Sequence, residues 1–332
     1  MNPLPLTLAL GPYDQTRDVT DGTAPIEGVL LRTLNLPIEE IFYRFTLHRE
    51  WDMSEMSMGK YIALRSQGDT SITALPVFVS RAFRHSMLYV KAGSAIQKPE
   101  HLAGKRIGVP EWAQTAGIYA RGYLSDYLGL DLRTMEWVQA GVNQPGRSEK
   151  VSLNLPQGIR YRSAPDKSLN QMLLAGEIDA IMSARPPGAL DHGVARLMPD
   201  YRAAEEQYFR DTQIYPIMHA LVIKTAVLDA HPWVAMNVYK AFLQAKAQSM
   251  ARLADITASH APMAWLADYA SRMKKIFGDD YFPYGIGPER GGQINRSTLD
   301  AFCKQGFEQG VCKRRLTVDE LFAANVLGSF KV

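Results

Sequence analysis

Arg81, Arg84 and His85 form the densest group of chemistry-bearing side chains in the sequence. At spacings of three and four they share one face if that short stretch is helical. A guanidinium fork matches a carboxylate with two parallel hydrogen bonds, and an imidazole beside it gives or takes a proton near neutrality. The alternative is a solvated basic turn with one cation on a main-chain carbonyl. A second group, Glu111-Trp112-Ala113-Gln114-Thr115, leaves a strand and enters a helix. Main-chain N–H groups at a helix start suit an anion. Gln114 or Thr115 adds a donor, Trp112 a stacking face and Glu111 a base. The structural alternatives are a helix cap, a core tryptophan and an ion-paired glutamate.

Arg185 follows a strand in Ser183-Ala184-Arg185-Pro186-Pro187, where the diproline stiffens the turn that aims it. Asn143 and Arg147 lie in a long Gly/Pro/Asn/Arg-rich stretch, 140–167, and are placed to cover a site; for Arg147 the alternative is a surface charge. Tyr13 follows the first strand, and Glu55 opens the helix after the second. Both are C-terminal strand edges, where open α/β sheets take ligands. Their plain alternatives are a packing tyrosine and a helix N-terminal charge. His219 sits in the apolar run Ile217-Met218-His219-Ala220-Leu221, where a core histidine is the commoner outcome. No histidine pair has the spacing of a helical metal site, so no metal is expected. Met53, Met56 and Met58 read as core filling.

The elements that must position these residues alternate between strand and helix. Strands are expected at 4–10, 38–44, 71–75, 86–91, 106–109, 135–138, 178–182 and 217–223. Helices are expected at 25–34, 54–67 with Ser54 as N-cap, 114–128, and 169–175 closed by Gly176. Beyond residue 231 the chain reads as three helices, 232–253, 263–277 and 297–309. Alternation of this kind argues for parallel sheets covered by helices. Residues 92–213 are expected to form one lobe, and 1–91 with 214–332 a discontinuous other, with two chain crossings as a hinge.

Of the 332 residues, 46% are hydrophobic and 21% charged, with a net charge of +3. That composition sustains a core and excludes wholesale disorder. It carries no basic stripe of the kind a nucleic-acid binder shows. No apolar run approaches the ~20 residues that span a bilayer. The N-terminus lacks the basic and long apolar regions of an export signal, so a cytoplasmic location is expected. Two cysteines, Cys303 and Cys312, are too few for a disulfide scaffold and lack a zinc pattern. No Rossmann or P-loop glycine fingerprint appears.

Two stretches resemble type II periplasmic solute-binding proteins. They are Lys98-Pro99-Glu100-His101-Leu102-Ala103-Gly104-Lys105-Arg106-Ile107-Gly108-Val109 and Leu173-Leu174-Ala175-Gly176-Glu177-Ile178-Asp179-Ala180. Phe83-Arg84-His85-Ser86, Pro110 to Ala116, Trp137-Val138-Gln139-Ala140-Gly141-Val142-Asn143 and Ser183 to Pro187 are more specific. Together they resemble the 4,5-dihydroxyphthalate decarboxylase family over about residues 4–330. The resemblance implies an α/β, two-lobed type II periplasmic-binding-protein-like fold, with two mixed sheets, a hinge and extra C-terminal helices. It implies loss of carbon dioxide from 4,5-dihydroxyphthalate, giving protocatechuate; each carboxylate of that substrate has a para hydroxyl, so the ring itself can take up the electrons and no cofactor is expected.

On that implication His85, Glu111 and His219 are the catalytic candidates. Tyr13, Glu55, Arg81, Arg84, Trp112, Gln114, Thr115, Asn143, Arg147, Ser183 and Arg185 are the substrate-binding ones. The expected partner is a small aromatic dicarboxylate, with no nucleic acid and no membrane, and the chain is expected to form a homo-oligomer. The competing reading is a solute-binding protein that captures an aromatic carboxylate without turning it over.

Overall fold

A computed structural model describes residues 2–327. Residues 1 and 328–332 of the expected first lobe therefore lie outside the described residues. The strands are β1 (Leu4–Ala9), β2 (Val29–Leu34), β3 (Met53–Ser57), β4 (Ile72–Arg81), β5 (Leu88–Lys91), β6 (Arg106–Val109), β7 (Glu136–Gly141), β8 (Arg160–Ser168), β9 (Ala180–Met182), β10 (Val194–Arg196) and β11 (Ile217–Lys224). The helices are α1 (Asp14–Thr20), α2 (Ile38–His48), α3 (Met58–Ser66), α4 (Thr115–Gly122), α5 (Leu169–Ala175), α6 (Tyr201–Thr212), α7 (Thr225–Ala230), α8 (Trp233–Ala254), α9 (Leu266–Phe277) and α10 (Arg290–Glu308).

One sheet runs β2-β1-β3-β11-β4 and the other β10-β5-β9-β6-β7-β8. In the first, β1 lies parallel to β2 and β3, while β11 runs antiparallel to both β3 and β4. In the second, β6, β7, β8 and β9 are parallel and β5 is antiparallel to β9 and β10. Because β5 pairs in the second sheet, the chain changes sheet within residues 82–87. The division expected after residue 91 falls one strand beyond this change of sheet.

Three expected elements differ. Residues 38–44, expected as a strand, begin α2, which buries Ile41 and Phe45 one turn apart and carries Glu39 and Glu40 in its first turn. Residues 25–34, expected as a helix, end in β2, an edge strand in register with β1 from Leu4↔Val29 to Ala9↔Leu34. The helix expected from Ser54 begins at Met58 instead. Met53–Ser57 is buried on both faces, as a central strand must be, and so lacks the alternation that marks a strand in sequence. Within the long stretch 140–167, part of β8 appears as a mostly exposed edge strand. Gly176 does close α5, in a left-handed conformation at φ 74°.

The two sheets meet where α3 and α4 begin. Thr115 Oγ1 accepts from the Gly59 N–H at 2.8 Å and lies 2.8 Å from Ser57 Oγ. A side chain at Gly59 would set its Cβ 2.4 Å from the Ala113 carbonyl oxygen, so glycine permits this approach. The described residues include no helix long and apolar enough to cross a membrane. Both cysteines are buried and free.

Candidate active site

A cavity of about 350 Å³ opens between the sheets. From the first-sheet side it is lined by Glu39 and Phe42 of α2, Ser57, Lys60 of α3, Arg84, and Met218 and His219 of β11. From the other side come Glu111, Gln114, Thr115, Arg147, Lys150 and Arg185. Five cationic side chains face two carboxylates in that lining. A second cavity, of about 400 Å³, lies beside Tyr13, Asp14, Arg17 and Asp21. Its single cation is offset by two acids, which makes it a poor receptor for an anion.

Strand direction explains the first piece of geometry. β11 runs against β3 with His219 opposite Ser57 and Leu221 opposite Glu55, which puts His219 at the C-terminal edge of β3. His219 Nδ1 lies 2.6 Å from Glu55 Oε1. Tyr13 Oη donates to the same oxygen at 2.6 Å, and the Gly11 N–H donates to Oε2 at 3.0 Å. Glu55 is 0% exposed. Burial, with the Glu55 carboxylate beside it, pushes the Tyr13 phenol far above its ordinary value. With Nδ1 committed to Glu55, Nε2 is the ring nitrogen left for a cavity ligand. Phe42 packs edge-on against the imidazole at 4.8 Å.

Opposite lies an ion-paired cluster. Glu111 Oε2 accepts from Lys60 Nζ at 2.6 Å, and Oε1 accepts from Arg147 Nε at 2.8 Å. Lys150 Nζ is 3.5 Å from Oε1. Burial alone would raise the Glu111 carboxyl, but Lys60, Arg147 and Lys150 outweigh it and hold it below the usual range. A carboxylate so held is a weak base, which tells against the catalytic role expected for Glu111 and fits its alternative as an ion pair. Lys60 also donates to Glu149 at 2.8 Å, so two of its three N–H groups are engaged.

Arg84 differs from these cations. Its Nε points to Met218 Sδ at 3.2 Å, and no described carboxylate lies within 4.0 Å of its guanidinium. Burial lowers its pKa, against the pull of Glu205. Arg185 is 63% exposed on its side chain and pairs with Glu39 at 3.2 Å. Gln114 Oε1 is buried without a hydrogen-bond partner.

Seven residues singled out in the sequence line this cavity, and Tyr13 and Glu55 stand behind His219. Five do not line it. Arg81 is buried elsewhere, donating to the carbonyls of Tyr215 and Pro283 and to the Asn295 side chain. Burial lowers its pKa to about 10. His85 is enclosed by Tyr123 at 4.1 Å and Tyr208 at 5.2 Å, with both ring nitrogens unpartnered and Nδ1 3.7 Å from Glu205. Trp112 is a core residue, donating to the Gln309 carbonyl at 2.7 Å beneath the Arg121 guanidinium. Asn143 braces the turn after Arg185 by accepting from the Gly188 N–H at 2.7 Å and donating to Pro186. Ser183 is fully buried.

Lys60, Glu39, Phe42, Glu149 and Lys150 join the site without being among the residues expected from the sequence. Glu39 and Phe42 reach it because residues 38–48 form a helix where a strand is expected. The charged run Arg147-Ser148-Glu149-Lys150 was the available signal for the last two. Among the described residues no group of three or more His, Cys, Asp or Glu side chains is placed to hold a metal ion.

No family model matches the chain. The 4,5-dihydroxyphthalate decarboxylase of Comamonas testosteroni is 34% identical over 336 residues, covering 100% of each chain. The protein of the same name from Pseudomonas putida is 36% identical over 214 residues, 63% of this chain and 83% of its own. Among solved structures, the periplasmic aliphatic sulphonate binding protein SsuA from Escherichia coli superposes with a TM-score of 0.54 at 11% identity, covering 98% of this chain and 99% of that one. The alkanesulfonate-binding protein SsuA from Xanthomonas axonopodis pv. citri, bound to MOPS, gives 0.51 at 13% identity, covering 97% and 99%. At such identities the likeness is one of fold.

Proposed function

The chain belongs to the 4,5-dihydroxyphthalate decarboxylase family and has a periplasmic-binding-protein-like fold; from that premise we propose that the cavity between its sheets converts 4,5-dihydroxyphthalate to protocatechuate and carbon dioxide. One observation carries the assignment to this cavity: an excess of cations faces an imidazole backed by a buried carboxylate. The substrate brings two carboxylates. Arg84, with no described carboxylate within 4.0 Å, and Lys60, with an N–H to spare, receive the inner one. Arg147 and Arg185 stand at the rim for the other.

Loss of carbon dioxide from a bare aryl carbon would leave an unstable anion. Each carboxylate of this substrate, however, has a hydroxyl para to it. His219 takes the proton of that hydroxyl on Nε2, while Glu55 holds Nδ1 and stabilises the imidazolium. The oxyanion feeds electron density to the carboxyl-bearing carbon, which takes up a proton. The C–C bond then breaks, its electrons return through the ring to the oxygen, and His219 gives its proton back. One proton is consumed for each carbon dioxide released, and the ring is the electron sink.

A single acid–base group supplies about 10²–10⁴-fold. The remainder falls to fixed charge, orientation and exclusion of water. The cations must also hold the spared carboxylate without over-stabilising the departing one.

We further propose a cytoplasmic location, which fits a catabolic enzyme, and a homo-oligomer, for which exposed Met263, Trp265 and Tyr269 offer surface. Cell fractionation and size-exclusion chromatography test these two points. The activity is tested by incubating purified, chelator-treated protein with 4,5-dihydroxyphthalate. Protocatechuate and carbon dioxide are expected in equal amounts. Binding without turnover would return the chain to the solute-binding alternative.

A further inference from the structure

Glu39 lies in the first turn of α2 and lines the cavity from the first-sheet side. Its Oε1 is 3.2 Å from Arg185 Nη2 and 3.6 Å from Arg147 Nη1. Both guanidinium groups belong to the other side of the cleft. Arg147 is otherwise committed, since its Nε and Nη2 meet Glu111 Oε1 at 2.8 and 2.7 Å. Nη1 is therefore its remaining face, and Glu39 holds it. The Glu39 side chain is 51% exposed, so water screens these contacts and keeps them weak. Two guanidinium groups converging on one carboxylate oxygen at a cavity rim is also how a ligand carboxylate would be received. Glu40, one residue on, pairs instead with Arg44 at 2.8 Å, and it does not line the cavity.

We propose that Glu39 is an internal competitor for the rim arginines: it and one carboxylate of the substrate contend for Arg147 and Arg185, and binding exchanges one for the other. The inference rests on the reading above for the identity of the ligand and deepens it. A dicarboxylate that spans from Arg84 and Lys60 to the rim must displace Glu39. A monocarboxylate satisfies the inner cations and leaves Glu39 in place. Glu39 thereby lowers affinity for dicarboxylates selectively, which limits how tightly the rim grips its ligand.

Titration calorimetry with phthalate and benzoate, beside steady-state kinetics with 4,5-dihydroxyphthalate, tests this on the full chain. Glu39→Gln and Glu39→Ala should each bind phthalate about five-fold tighter, with a matching fall in KM. Benzoate affinity should stay within about two-fold, and Glu40→Gln should change neither ligand. Unchanged or weaker phthalate binding in both Glu39 variants overturns the inference, as does an equal gain for benzoate. If the unmodified protein turns over 4,5-dihydroxyphthalate while the Glu39 variants bind no tighter, the competitor role alone fails. If it neither turns over that substrate nor binds phthalate, the assignment of the cavity fails and the inference falls with it.

Discussion

Glu55 Oε1 and His219 Nδ1 stand 2.6 Å apart on two neighbouring strands that run in opposite directions. The contact fixes the ring in one orientation and directs Nε2 to the cavity. It also gives the Glu55 carboxylate, with no exposed surface, one of its few partners. Glu55→Gln keeps the shape but removes the charge that stabilises an imidazolium. It should lower kcat by about 10²–10⁴-fold and alter the pH–rate profile, with KM little changed. Tyr13→Phe leaves Glu55 bonded to His219 and Gly11, so its loss should stay within about ten-fold, of the order of one hydrogen bond. An equal collapse in both variants would argue for a structural role of the whole group.

Arg84 is the lining cation whose charge no described carboxylate offsets within 4.0 Å, so a ligand gains the most from it. Arg84→Ala should raise KM by about 10- to 100-fold, as expected for hydrogen bonds to a charged group. Arg84→Lys should recover part of that, because a lysine keeps the charge and loses the fork. A KM unmoved in Arg84→Ala would place the inner carboxylate elsewhere.

The Glu111 carboxyl is held low by Lys60, Arg147 and Lys150 despite its burial. Its contribution to stability is therefore complete above the unfolded value of about 4.5 and is lost as pH falls through the lower folded value. Glu111→Gln should destabilise the protein at neutral pH by on the order of 3 kcal/mol, since it strips Lys60 and Arg147 of a buried partner. The gap between variant and parent in thermal unfolding should narrow as pH drops below about 4.5. A gap that widens in acid would contradict the ion-pair assignment.

His85 is walled off by Tyr123 and Tyr208 and borders a void of about 10 Å³, too small for an aromatic ring. His85→Gln should leave kcat within about three-fold and show itself in thermal stability instead. Loss of turnover at unchanged stability would return His85 to the chemistry.

Much of this arrangement was legible in the sequence. Gly176 after an apolar helical run, the strand at 106–109 and the C-terminal helices needed only periodicity and punctuation. The cluster Arg81, Arg84 and His85 was legible as a cluster but not as a fate. Strand alternation and the turn after it send Arg81 to the Asn295 side, His85 into an aromatic box and only Arg84 to the cavity. His219 looked like a core histidine because its neighbours are apolar; the carboxylate that distinguishes it is 164 residues away in sequence. Lys60 was invisible for a related reason, since its partners Glu111 and Glu149 belong to the opposite sheet's loops.

The most direct measurement is the turnover of 4,5-dihydroxyphthalate by His219→Gln, read beside its affinity for phthalate. The expected result is a kcat lowered by about 10²–10⁴-fold, with phthalate bound within a few-fold of the parent protein. Full turnover in that variant would remove the imidazole from the reaction and contradict the assignment of this cavity's chemistry.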